Sequence, residues 1–120
     1  MEAVVIIPKR WRENVRRILL SGKGVQIPPK VLEVWRSSFP GVPVTVASLR
    51  AMVANALEND KIKGVKITTM RVTGGKPDPG EIYEFLFDVE PGRVYSKISL
   101  RLANDTVYFY SAHKSERDHL

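Results

Sequence analysis

The order of patterns along these 120 residues predicts an α+β fold. About three N-terminal helices should pack on one face of a roughly four-stranded antiparallel sheet. Three observations carry this expectation. Apolar residues recur at helical spacing through the first 60 residues. Alternating, β-branched runs fill residues 61–114. The connections between those runs are short, as neighbouring antiparallel strands require.

Val4-Val5-Ile6-Ile7 stops at Pro8 and reads as a strand or a packed arm. From Lys9 to Leu20, Trp11, Val15, Ile18 and Leu19 form an apolar helical stripe, with Lys9, Arg12 and Arg16 on another face. Ser21-Gly22-Lys23-Gly24 ends that helix, glycine being the usual terminator. A second helix is expected over Pro29–Ser38, with proline in its first turn and Val31, Leu32 and Trp35 inward. Phe39-Pro40-Gly41-Val42-Pro43 breaks the pattern. The third helix should follow Ala47-Ser48, capped by Ser48, with Leu49, Met52, Val53, Ala56 and Leu57 inward, and end near Glu58-Asn59-Asp60.

The strands follow. Lys66–Val72 is the first, and Thr73–Gly80 is a turn-rich loop. Glu81–Asp88 is the second, closed by the turn Glu90-Pro91-Gly92. Arg93–Leu102 alternates cleanly: Val94, Ser96, Ile98, Leu100 and Leu102 point one way, and Tyr95, Lys97, Ser99 and Arg101 the other. Asn104-Asp105 turns the chain into a last strand from Thr106 to about His113, and residues 115–120 are expected to fray. The expected organisation is one domain over 1–120, helical in 1–60 and sheet in 61–114.

Composition narrows the chemistry. With no cysteine, disulfides, thiolate metal sites and cysteine nucleophiles are excluded. His113 and His119 are too few for a histidine-built metal site, so no metal or other cofactor is expected. No apolar run approaches the ~18 residues of a membrane helix, and no signal peptide opens the chain. A cytoplasmic location without a membrane partner is the expectation. Nineteen basic against thirteen acidic side chains give a net charge of +6, spread along the chain rather than gathered in a tail. That excess suits a polyanionic partner such as RNA or DNA, and it equally suits a basic protein whose charge serves solubility.

Several motifs fail on spacing. Gly22-Lys23 lacks the upstream glycine of a phosphate-binding loop. Glu81, Glu84, Asp88 and Glu90 follow no metal-loop spacing, and nothing marks an acid that would orient a histidine for a serine nucleophile. The Tyr95-Lys97-Ser99-Arg101 row suits a solvated sheet face. It also suits an RNA backbone, since the cations neutralise phosphate and the ring hydrogen-bonds or stacks on a base. His113, at the end of the last strand, is of the type best suited to moving protons near neutral pH.

Gly92-Arg93-Val94-Tyr95-Ser96-Lys97-Ile98-Ser99-Leu100 and Val107-Tyr108-Phe109-Tyr110-Ser111-Ala112-His113-Lys114 resemble the closing strands of ribonuclease toxins. The nearest family is the motility quorum-sensing regulator toxin, within the group containing RelE-like toxins, barnase and the tRNA-cutting colicins. The resemblance covers residues 92–114. It implies an endoribonuclease that cuts mRNA or tRNA by attack of the 2′-OH on the adjacent phosphate, neutralised by an acidic antitoxin protein. It carries the family's active-site tyrosine to Tyr95 and its C-terminal basic residue to His113, beside Lys114. The first-strand lysine falls on Lys66 or Lys63. The second-strand glutamine falls on Glu84, a departure that makes Glu84 a general base. Lys97, Arg101, Lys114 and Arg71 are then the expected RNA-contacting cations. A basic nucleic-acid-binding module without catalysis and an interaction protein remain as rival readings.

Overall fold

A computed structural model of the chain describes residues 3–40, 45–72, 74–90, 92–116 and 120. Gly41-Val42-Pro43, Thr73, Pro91 and residues 117–119, with His119, lie outside the described residues. The stripe Trp11, Val15, Ile18 and Leu19 forms the buried side of helix α1 (Lys9–Ser21). Gly22 ends it in the left-handed region, φ 76°, where its N–H reaches the Ile18 carbonyl. Helix α2 (Pro29–Ser38) buries Trp35, and helix α3 (Val46–Ala56) buries Leu49 and Val53. The cap of α3 is Thr45, not Ser48. The Thr45 hydroxyl accepts from the Ser48 N–H while the Ser48 hydroxyl accepts from the Thr45 N–H, a reciprocal box that starts the helix earlier.

The expected meander is present: β3 (Lys63–Ile67), β4 (Glu81–Val89), β5 (Gly92–Arg101) and β6 (Thr106–Lys114) pair antiparallel in sequence order. The sheet is not four-stranded and not wholly antiparallel, however. Val4–Ile6 forms β1 antiparallel to β3, and Val25–Gln26 forms β2 parallel to β6. Among the described residues the sheet is six-stranded and mixed, in the order β1-β3-β4-β5-β6-β2.

Both added strands come from the half read as helical. The first takes the strand reading of Val4–Ile7, while the second, two residues long, gains its identity only from a distant partner. Gly24 explains the parallel edge. A Cβ there would lie 2.3 Å from the Asp105 carbonyl oxygen, and the Val107 N–H donates to the Gly24 carbonyl at 2.9 Å. Only glycine lets the chain leaving α1 lie against β6.

Two boundaries also differ from expectation. The first meander strand is Lys63–Ile67 rather than 66–72, because the chain leaves the sheet after Ile67 and folds into a long excursion bridged at Arg71 and Pro77. Leu102 is 44% exposed in a short 3-10 turn, Leu102–Asn104, and does not continue the apolar face of β5.

The core lies between the helices and one face of the sheet. Trp11 meets Tyr83 and Phe85 edge-on, and its indole N–H donates to the Glu81 carbonyl at 2.8 Å. Phe87, Val94, Ile98, Leu100, Val107, Phe109 and Ala112 complete the sheet side. Burying aromatic and aliphatic groups of this size against one sheet face is the main force holding helices to strands. No helix among the described residues is long and apolar enough to cross a membrane.

Candidate functional site

Strand β5 turns Val94, Ser96, Ile98 and Leu100 toward the helices, so Tyr95, Lys97, Ser99 and Arg101 share the opposite face. Register adds Ile82, Glu84 and Leu86 of β4 to that face, opposite Ser99, Lys97 and Tyr95. On β6 a bulge intervenes. Lys97 pairs with Ser111 but Ile98 pairs with Phe109, leaving Tyr110 as the extra residue. Phe109 and Ala112 both enter the core, so Tyr108 and Tyr110 on one side of the bulge share a face with Ser111 and His113 on the other. Strict alternation from Tyr108 would instead have sent His113 toward the helices. The bulge decides which face the histidine occupies.

One end of this face brings together Glu84, Tyr95, Lys97 and His113. Tyr95 and His113 are direct cross-strand partners, and their rings stack with centroids 5.1 Å apart and 30° between planes. The Tyr95 hydroxyl donates to Glu84 Oε2. The Nδ1 of His113 lies 2.9 Å from the Lys114 carbonyl, which can only accept. Nδ1 therefore carries hydrogen and Nε2 is left for other partners. Lys97 sits in register between Glu84 and Ser111, and among the described residues no carboxylate lies within ion-pair distance of it.

The other end is occupied by Asp78, carried there by the excursion between β3 and β4. Its side chain is only 1% exposed and forms a 2.8 Å ion pair with Arg101. It also accepts from the Tyr110 hydroxyl, from Ser99 at 3.0 Å and from the Gly80 N–H at 2.7 Å. Burial by itself raises a carboxyl pKa. Here the donors Arg101, Tyr110, Gly80 and Ser99 outweigh it and hold Asp78 at about 2. Tyr110 moves the other way, to about 12, because burial and its bond to the Asp78 carboxylate both favour the neutral phenol. The Arg101 guanidinium, raised by the same carboxylate, also lies 4.6 Å over the Tyr108 ring.

The expected site residues therefore divide. His113, Tyr95, Glu84 and Lys97 lie together. Arg101 is on the same face, but its charge is matched by Asp78 and its position is at the far end. Lys66 pairs in register with Tyr83, a core residue, and so lies on the helix side of the sheet. Lys63 shares the parity of Val65, opposite Glu84, and is on the candidate face on β3, between β1 and β4. Lys114 pairs with Val94, takes a backbone bond to Ser38 of α2 and is 3.8 Å from Glu116, again away from Tyr95. Arg71 belongs to the excursion and lines a cavity with Arg101, Tyr108 and Tyr110.

Asp78 is the residue of the candidate face that sequence reasoning missed. Its setting, Pro77-Asp78-Pro79-Gly80, carries only a turn signal. The alternating tyrosines of Val107-Tyr108-Phe109-Tyr110 were a visible signal for the other two. The chain matches no protein-family model, no curated protein and no solved structure.

Proposed function

We propose that the protein is a small endoribonuclease whose acid, base and phosphate-stabilising cation all come from the Glu84–Tyr95–Lys97–His113 face. The observation that carries this reading is the pairing of Tyr95 with His113 across β5 and β6, with Glu84 bonded to the same tyrosine. A carboxylate and an imidazole then flank a cation on one sheet face, on three adjacent strands.

In the reaction, Glu84 takes the proton of a ribose 2′-OH through its Oε1, since Oε2 is held by Tyr95. The 2′ oxygen forms a bond to phosphorus, and Lys97 stabilises the negative charge gathering on the phosphoryl oxygens. The bond from phosphorus to the 5′ oxygen breaks, and protonated His113 gives its Nε2 proton to that leaving oxygen. The products are a 2′,3′-cyclic phosphate and a free 5′-OH. Tyr95 acts as a positioning residue, ordering the carboxylate by its hydroxyl and the imidazole by its ring. The toxin role implied by the resemblance is part of the same proposal, with an acidic protein as the partner that restrains it.

Purified wild type should cleave total RNA, and His113→Ala should slow cleavage by ~10²–10⁴ while melting at the same temperature. Equal rates in the two proteins remove His113 from the mechanism. A second reading, a binding module without catalysis, is favoured by the capture of Arg101 by Asp78 at the far end, which leaves Lys97 to match a transition-state charge without help from that guanidinium. It predicts RNA binding that weakens steadily with salt and no cleavage by wild type.

A further inference from the structure

The geometry points to a nucleotide subsite in the cavity between the β3–β4 excursion and strand β6, which takes a base and phosphate of single-stranded RNA beyond the scissile bond. This rests on the ribonuclease reading for its placement, and on the cavity's own chemistry for its ligand class. The cavity has a volume of about 290 Å³ and is lined by Arg71, Val72, Arg101, Tyr108 and Tyr110. Two guanidiniums and two phenol rings in one cavity are an unusual concentration of cation and π surface for a structural role. One guanidinium, Arg101, is already consumed by Asp78 and stacked on Tyr108. The Tyr108 and Tyr110 rings meet edge to face at 4.9 Å. A planar base entering here extends a stack that the protein has already built, with little side-chain ordering left to do.

Arg71 supplies the complementary charge. It is exposed, and among the described residues it has no ion pair or side-chain hydrogen bond. The bridge between Arg71 and Pro77 fixes its backbone at the rim of the cavity. Asp78 matches Arg101, so Arg71 is the cation there available to a phosphate.

The subsite is aligned with the proposed catalytic end. From Tyr95 to Arg101 strand β5 advances roughly 20 Å at ~3.3 Å per residue, along a face carrying Lys97 between them. An RNA strand laid along β5 with its scissile phosphate by His113 reaches Tyr108 a few nucleotides away. A dinucleotide spans only the scissile bond and does not reach.

The test uses full-length protein carrying His113→Ala, so that RNA stays intact, and a fluorescein-labelled single-stranded RNA octamer read by anisotropy. Adding Tyr108→Ala should weaken binding about 10- to 100-fold, the loss expected for one base–aromatic stack. Tyr108→Phe should restore it, because the ring and not the hydroxyl makes the stack. Adding Arg71→Ala, on the exposed excursion, should lower the slope of log affinity against log salt by about one. Neither change should alter binding of a dinucleotide. Octamer binding that is unchanged by both Tyr108→Ala and Arg71→Ala overturns the subsite, even where wild type cleaves RNA. Wild type that fails to cleave while octamer binding still depends on Tyr108 and Arg71 overturns the nuclease and supports the subsite.

Discussion

The two ends of one sheet face use similar residues to opposite effect. Both ends of β5 present a polar side chain next to a cation: Tyr95 with Lys97, and Ser99 with Arg101. At the Arg101 end the excursion between β3 and β4 lays a carboxylate onto the sheet and closes it. Asp78 satisfies Arg101, Tyr110 and Ser99 at once, and its side chain is nearly inaccessible. At the Tyr95 end no carboxylate among the described residues lies within ion-pair distance of Lys97, and the acid present, Glu84, is tied to a phenol rather than to the cation. Residue type alone does not separate a structural cation from an available one. The loop that covers it does.

The largest expected effect in stability tests the closed end. Asp78→Ala leaves Arg101, whose side chain is 16% exposed, without its counter-charge and should cost about 3 kcal/mol in urea unfolding. Lys97→Ala, with no charge to orphan, should cost under about 1 kcal/mol in the same measurement. Similar costs for the two variants would falsify the contrast between closed and open ends.

Acid and alkali sharpen the same comparison at intermediate size. Asp78 is depressed to about 2 in the folded chain against an ordinary value of 3.8. Its contribution is therefore complete above pH 4 and is lost as pH falls toward 2, amounting to about 2 kcal/mol. Tyr110, raised to about 12 from 10, contributes fully below pH 10 and loses that contribution as pH climbs toward 12. Urea midpoints across pH should show the acid loss in wild type. Asp78→Asn should lack Asp78's share of it, and an equally steep acid loss in that variant would shift the cause to other carboxylates.

The smallest effect concerns the open end. Tyr95→Phe keeps the ring against His113 but frees Glu84, and should slow cleavage about tenfold, one hydrogen bond's worth at ~1.4 kcal/mol. A KM change with kcat untouched would instead give the hydroxyl a role in binding RNA.

Much of this arrangement was legible in the residues. The stripe from Trp11 to Leu19 needs only a helix to become a buried face, and the alternation through Tyr95, Lys97, Ser99 and Arg101 needs only a strand to share a side. These patterns are local, and the period of the backbone converts them directly into direction. The neighbouring of β5 and β6 followed from the short turn between them, but only the bulge at Tyr110 puts His113 on the face of Tyr95.

Other features were decided only in three dimensions. The two-residue strand Val25–Gln26 exists because Gly24 lets the chain approach Asp105, a partner some eighty positions away. Lys66 and Lys63 differ by three positions, so they fall on opposite faces, and which one faces Glu84 depends on a register set by β4. The bulge at Tyr110 reverses the parity of β6 without any glycine or proline to announce it. Asp78 meets Arg101 through a folded excursion whose sequence speaks only of turns. Sequence by itself determined the helices, the meander and the composition of one strand face, since those depend on neighbours a few residues apart. Tertiary structure decided which cations on that face are neutralised and which remain, because charge matching depends on what long loops bring together.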